Sequence, residues 1–262
     1  MTRELIKAWE SYLRACSRSE ETIKLRTAHI SRCLREIALP LHEITADHFI
    51  DWLAAHEWAP ATRRSHRASI VGFVKWASAR EHMDATAGEI PASRVPRGMP
   101  RPAADPVILA ALRAAAPRVQ LMIELMTYGG LRRGEVSRVK AGDLTGEWLR
   151  VVGKGGHIRI VPLPPHLCAR IRARSGWLFP GAIDGHLSAR RVGELIREVL
   201  PRDVTPHQLR HRYATTVYSH SGDIRAVQKL LGHAKLETTA IYVDVSDRAQ
   251  RVAAAGAWGL AS

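Results

Sequence analysis

The chain has three cysteines in 262 residues, and Cys16, Cys33 and Cys168 form neither a close CxxC pair nor an even set. That excludes a disulfide scaffold and a thiolate zinc ribbon, and predicts reduced thiols in a cytoplasmic protein. Acidic residues are also scarce, 25 Asp and Glu against 39 Lys and Arg. They form no cluster of the kind that two-metal DNA chemistry (a DDE-type transposase) requires. No apolar run approaches the roughly 20 residues of a spanning helix. The opening residues, MTRELIKAWESYLRACSRSEET, lack the apolar centre of a secretory leader. What is present is ordinary globular material, 46% hydrophobic and 24% charged, carrying a net charge of +14. Such a surplus concerns partners rather than fold, and the common polyanions are nucleic acid and membrane surfaces. A two-domain nucleic-acid protein with no membrane partner is expected.

The surplus is uneven. Residues 1–102 hold 16 Lys and Arg against 12 Asp and Glu, whereas residues 103–262 hold 23 against 13. Between the halves lies a stretch rich in proline, glycine and small residues, with Pro91, Pro96, Pro100 and Pro102 each able to interrupt a helix. An extended linker over 84–102 is expected, joining a helical domain over 1–83 to a second domain over 103–262. Periodicity in the first half predicts helices only. Leu5, Ile6, Trp9, Tyr12 and Leu13 share a face, whose rings serve core packing or stacking on a ligand. Ser19 and Thr22 open a second helix, a third covers Thr45 to His56, and a fourth begins at Pro60. Arg63, Arg64, His66 and Arg67 lie in the first turns of that fourth helix, as a solvated face or as DNA-binding contacts to phosphate.

The second half reads as mainly α with a small β-hairpin. Strands at Trp148–Val152 and Ile158–Val161 flank a turn made by Gly153-Lys154-Gly155-Gly156-His157. Helices are expected at 107–115, 118–128, 132–140, 165–173, 188–199, 206–220, 223–231 and 235–245, with a tail helix near 247–257. Four segments there carry unusual polar groups. Arg132 follows Gly129-Gly130 and falls in the first turn of a helix, beside open backbone N–H groups: an anion site, or a surface arginine held by Glu135 one turn on. Lys154 stands between glycines at a hairpin tip, within reach of a ligand or simply as a solubilising turn residue. His207, Arg210 and His211 share one helical face. Two histidines four apart suggest zinc, but Gln208 replaces the glutamate of HExxH and no third ligand sits at a familiar offset, so no metal is expected. Last come His233, and Tyr242 nine positions on, where a lone helical tyrosine is ordinarily a packing residue.

Taken together and in order, these residues change the reading. Arg132, Lys154, His207-x-x-Arg210, His233 and Tyr242, within GLRRGE, GKGGHIRIVPL, HQLRH and LLGHAKLETTAIYVDVS, resemble the signature segments of the tyrosine recombinase (phage integrase) family. The likeness is close from residue 103 to about 246. It extends more loosely over 1–82, where SEETIKLRTAHI and PATRRSHRASIVGFVKWA resemble the family's core-binding segment. Arg212 departs from the pattern, since the family more often has a small or apolar residue there.

The resemblance implies a helical, SAM-like core-binding domain joined to an α+β catalytic domain with a C-terminal tail. It also implies site-specific strand cleavage and rejoining through a 3′-phosphotyrosyl intermediate, with no cofactor. Tyr242 would be the nucleophile, His207 its base and Lys154 the acid for the leaving oxygen, while Arg132, Arg210 and His233 stabilise the phosphate, with Glu135 and His211 behind them. Implied partners are double-stranded DNA with inverted half-sites and a homotetramer on two duplexes, with room for a directionality factor. With the first helices expected almost at the N-terminus, an added arm-site domain is not expected. Phage or mobile-element integration and excision is the leading expectation, and Xer-type dimer resolution the alternative. A type IB topoisomerase would share the chemistry, and a DNA-binding regulator would share only the charge.

Overall fold

In a computed structural model, residues 2–94 and 101–232 are described. His233 and Tyr242, and the helices expected at 235–245 and 247–257, lie outside them. The chain divides into two compact units, Met1–Gly98 and Met99–Ser262. No described helix is long and apolar enough to cross a membrane.

The first unit is helical, as its periodicity predicts: α1 (Thr2–Ala15), α2 (Glu20–Ile37), α3 (Ala46–Ala54) and α4 (Pro60–Ser78). Ser19 caps α2 by accepting from the Thr22 amide, and Pro60 occupies the first turn of α4, where its missing N–H costs nothing. Trp9, Ile23, Ile30, Phe49, Ile70 and Phe73 close the core, with the Trp9 and Phe73 rings edge to face at 5.3 Å. Tyr12, grouped with Trp9 by spacing, lies at the rim with the Arg80 guanidinium 5.2 Å from its ring centroid. Beyond α4 the prolines do prevent a long helix, but Ala85 and Ile90 are buried in this core. Arg67 ties the segment down by donating to the carbonyls of Ile90 and Pro91, and the Ser78 hydroxyl donates to Ala85.

The second unit contains α5 (Asp105–Ala114), α6 (Pro117–Tyr128), a single turn α7 (Arg133–Val136), strands β1 (Leu144–Thr145), β2 (Trp148–Val152) and β3 (Ile158–Pro162), then α8 (Pro165–Arg172), α9 (Ala189–Arg197), α10 (Pro206–Ser221) and α11 (Ile224–Leu231). Helix α6 is apolar around most of its circumference and is accordingly enclosed, with Leu121, Met122, Ile123, Leu125 and Met126 fully buried. The three strands form an antiparallel sheet in the order β1-β2-β3, with Arg150 opposite Ile160 and Val152 opposite Ile158. β1 is too short to leave a periodic signal. The helix expected at 132–140 stops at Val136 because its continuation pairs elsewhere: Leu178 donates to Val139, and Ala141 to Gly176. A short strand, β4 (Pro180–Ile183), was likewise not legible in the sequence.

Candidate active site

The site begins where α6 ends. Gly130 adopts φ 64°, and a Cβ there would stand 2.4 Å from the Tyr213 ring, so only glycine lets the chain pass so close to α10. The passage presents the Gly130 carbonyl to Arg210, which donates to it and, at 2.8 Å, to the carbonyl of Leu231. Arg210 is wholly buried.

Arg132 comes next. It caps α7 rather than sitting in its first turn, and its backbone N–H is not open: the Glu135 carboxylate accepts it at 2.8 Å. Of the N–H groups expected to stand open at this helix start, that of Arg132 itself is therefore taken. The Arg132 guanidinium donates to the other Glu135 oxygen at 2.8 Å while 38% of its side chain remains exposed, so it faces both the buried carboxylate and solvent.

Glu135 is the centre of the arrangement. Arg159 grips it through two hydrogen bonds of 2.8 and 2.7 Å, and Arg210 lies 3.6 Å away. Burial works to raise the carboxyl group. The Arg159 hydrogen bonds and charge, the Arg132 amide and the Arg210 charge together outweigh it, and hold it at about 2. The carboxylate is therefore ionised at any working pH.

His207 shares α10 with Arg210, and its ring meets the His211 ring edge to face at 4.3 Å. Packing around the ring, then His211 and the guanidiniums of Arg210, Arg132 and Arg133, lower its pKa to about 4. Desolvation, followed by Arg210, lowers His211 as well. The Gln208 side chain accepts the Thr205 amide at the start of α10, so the position that holds a glutamate in HExxH serves here as a helix cap. Arg212, whose place the sequence left open, pairs with Asp105 at 2.9 Å.

Lys154 opens a short 3-10 turn, Lys154–Gly156, with Gly155 and Gly156 at φ 76° and 79°. The turn starts against the same cluster, for a Cβ on Gly153 would lie 3.4 Å from Glu135 Oε1. The backbone thus carries Lys154, Arg132, His207 and Arg210 to one locality.

The residues expected to contact DNA from α4 are not all displayed. Arg64 is exposed, but Arg63 donates to the His56 carbonyl at 2.7 Å and Arg67 is spent on Ile90 and Pro91. His66 is buried in a column of rings, 4.0 Å from Trp58 on one side and 3.7 Å from His29 on the other. A ring enclosed in this way is removed from the set that could touch a duplex. The sequence reading also missed Arg159. Its signal was the strand alternation, which faces Arg159 and Val161 inward and Ile158 and Ile160 to solvent. Flanked by isoleucines, the arginine reads as the outward residue of the strand.

Residues 106–249 match the model of the Phage integrase family. The chain is 37% identical over 228 residues to the tyrosine recombinase XerC of Rhodospirillum centenum, covering 75% of this chain and 67% of that one. It is 29% identical over 262 residues to the tyrosine recombinase XerA of Thermococcus kodakarensis, covering 93% and 91%. A lambda integrase in a dimer bound to a COC′ core site shares the fold, with a TM-score of 0.75 at 20% identity over 94% of this chain and 96% of that one. The family model, the recombinase relatives and the shared two-part helical fold lead to one conclusion: the chain belongs to the phage integrase family and is a tyrosine site-specific recombinase.

Proposed function

We propose that the chain recombines DNA by attack of Tyr242 on a scissile phosphate, forming a 3′-phosphotyrosyl bond and releasing a 5′-hydroxyl. The observation that carries this reading is the convergence of Arg132 and Arg210 on one buried, ionised Glu135, with His207 within electrostatic reach of both arginines. Arg132, reaching solvent, is the first guanidinium a phosphate meets. Arg210 adds its charge from within, and His233 donates to a non-bridging oxygen. Tyr242 Oη bonds to phosphorus as the bond from phosphorus to the 5′-oxygen breaks. The tyrosyl proton passes to His207, and Lys154 protonates the leaving oxygen. An imidazole at about 4 is neutral and ready to accept, but weakly basic. The negative phosphate beside Arg132 raises it toward its ordinary value on binding. The phosphotyrosine keeps the bond energy, so rejoining is the reverse displacement by a 5′-hydroxyl and consumes no nucleotide.

The substrate is double-stranded DNA with inverted half-sites, held by a core-binding unit whose core includes Ala85 and Ile90, beyond the residue 83 expected as its end, and by catalytic residues 103–262. A homotetramer acts on two duplexes in the cytoplasm. Integration or excision of a mobile element is the first reading. Resolution of chromosome or plasmid dimers is the second, favoured by the likeness to XerA and XerC recombinases.

The test is covalent trapping. Wild-type protein should form DNA adducts in excess chelator, and Tyr242→Phe should form none while still binding. Adducts from that variant would remove Tyr242 from the mechanism. Sequencing the trapped DNA separates the two biological readings: ends of a mobile element indicate integration, and a single chromosomal or plasmid locus indicates resolution.

A further inference from the structure

We propose that Arg159 is a positioning residue for strand cleavage, fixing the Arg132 turn and the end of α11 to each other through one guanidinium. The proposal rests on the reading of Arg132 and His233 as phosphate ligands. Arg159 spends two N–H groups on the Glu135 carboxylate, at 2.8 and 2.7 Å, and its Nε–H on the Leu230 carbonyl at 2.8 Å. Glu135 in turn holds both the backbone and the side chain of Arg132. Leu230 is the penultimate residue of α11, where carbonyls have no partner within the helix and where the helix dipole is negative. Arg159 closes that carbonyl, and Arg210 closes the next one, on Leu231. The helix therefore ends on two buried cations.

Gly232 completes the fit. It stands at φ 63°, and a Cβ there would lie 2.9 Å from the Arg159 stem. The exit direction of the chain at the residue before His233 is thus set by Arg159 on one side and by a left-handed conformation that favours glycine on the other. A planar, permanently charged fork is required for this, since the ammonium of a lysine cannot serve two parallel carboxylate bonds and a third acceptor from one fixed plane. Arg159 touches neither the nucleophile nor the leaving group in this scheme; it acts by where it holds Arg132 and the chain entering His233.

The experiment uses full-length Arg159→Lys and Arg159→Gln with a nicked duplex carrying the sequence recovered by Tyr242 trapping. The same duplex is also made with a bridging sulfur at the 5′ position of the scissile phosphate. Arg159→Lys should remain folded by thermal unfolding and bind the duplex within about 3-fold of wild type. It should cleave about 10²-fold more slowly, the scale of a misplacement near 1 Å. The sulfur substrate should not restore it, because the leaving group is not what has been disturbed. In Arg159→Gln the Glu135 carboxyl loses its principal partner, so the acid limb of the cleavage profile should move to higher pH. A folded Arg159→Lys that cleaves at the wild-type rate, rescue by sulfur, or an unmoved acid limb would each overturn the proposal. Unfolding of both variants would overturn it too, by assigning Arg159 to stability alone. Failure of the underlying reading is separately visible, as adducts formed by Tyr242→Phe.

Discussion

His66 in the first unit and Glu135 in the second are both enclosed polar side chains, at 6% and 3% exposure, and they are compensated in opposite ways. His66 lies between rings, Trp58 at 4.0 Å and His29 at 3.7 Å, with its Nδ1 buried and without a hydrogen-bond partner. Burial, then His29, Arg32 and His56, hold its pKa down to about 4 against the weaker opposing pull of Glu36, so it is kept by being neutral. Glu135 is kept by being charged, with three guanidiniums around it. Stacking tolerates any flat ring of similar size, whereas an ionic centre tolerates no loss of a partner. One locality is therefore replaceable, and the other is committed to its residues.

The largest expected contrast comes from removing the anion. Glu135→Ala leaves the buried Arg159 without its carboxylate and should cost the second unit about 3–5 kcal/mol, read by urea denaturation, with cleavage abolished. If the loss were below about 1 kcal/mol, the centre would not be ionic in the sense described. Next is acid. Glu135 has a folded pKa of about 2 against an unfolded value near 4.5, so its contribution is complete above about 4.5 and is lost as pH falls from there toward 2. His66 has a folded pKa of about 4 against 6.5 unfolded, so the stability tied to its neutral form is present above 6.5 and declines as pH falls toward 4. Stability curves of wild type against His66→Phe and against Glu135→Gln should therefore diverge in two successive windows, from 6.5 toward 4 and from 4.5 toward 2.

A smaller effect is expected from His66→Phe at pH 7. It keeps the stack and removes a buried orphan nitrogen, so denaturation should show no loss and a gain of up to about 1 kcal/mol. A marked loss would mean that the imidazole makes a polar contact the column does not account for. Smallest is Arg190→Ala, which removes an exposed i,i+4 pair with Glu194 and should leave the denaturation midpoint unchanged.

Much of this was legible beforehand. The hairpin announced itself through β-branched runs around glycines, and the helices of the first unit through their apolar stripes. Local signals (a glycine pair, a glycine turn, a Thr-Pro helix start) drew notice to Arg132, Lys154, His207 and Arg210, but each also fitted a surface or turn residue, and only their order, through its likeness to the family's signature segments, made them readable as a site. What escaped was decided by contacts distant in sequence. α7 is cut short because residues 139 and 141 find backbone partners at 178 and 176. His66 is hidden by rings from α2 and from the loop before α4, although its own helix places it among arginines. Arg159 was passed over because its partners, Glu135 and Leu230, are 24 and 71 residues away.

The β2–β3 hairpin has apolar residues on both faces: Leu149, Val151 and Val161 inward, and Trp148, Val152, Ile158 and Ile160 outward. A slip of one residue would exchange the faces at little hydrophobic cost, so hydropathy alone barely distinguishes the two pairings. The same slip would turn Arg159 to solvent and strand Glu135. In the native register an ion pair thus adds a distinction between the two faces of the hairpin that hydropathy alone does not make.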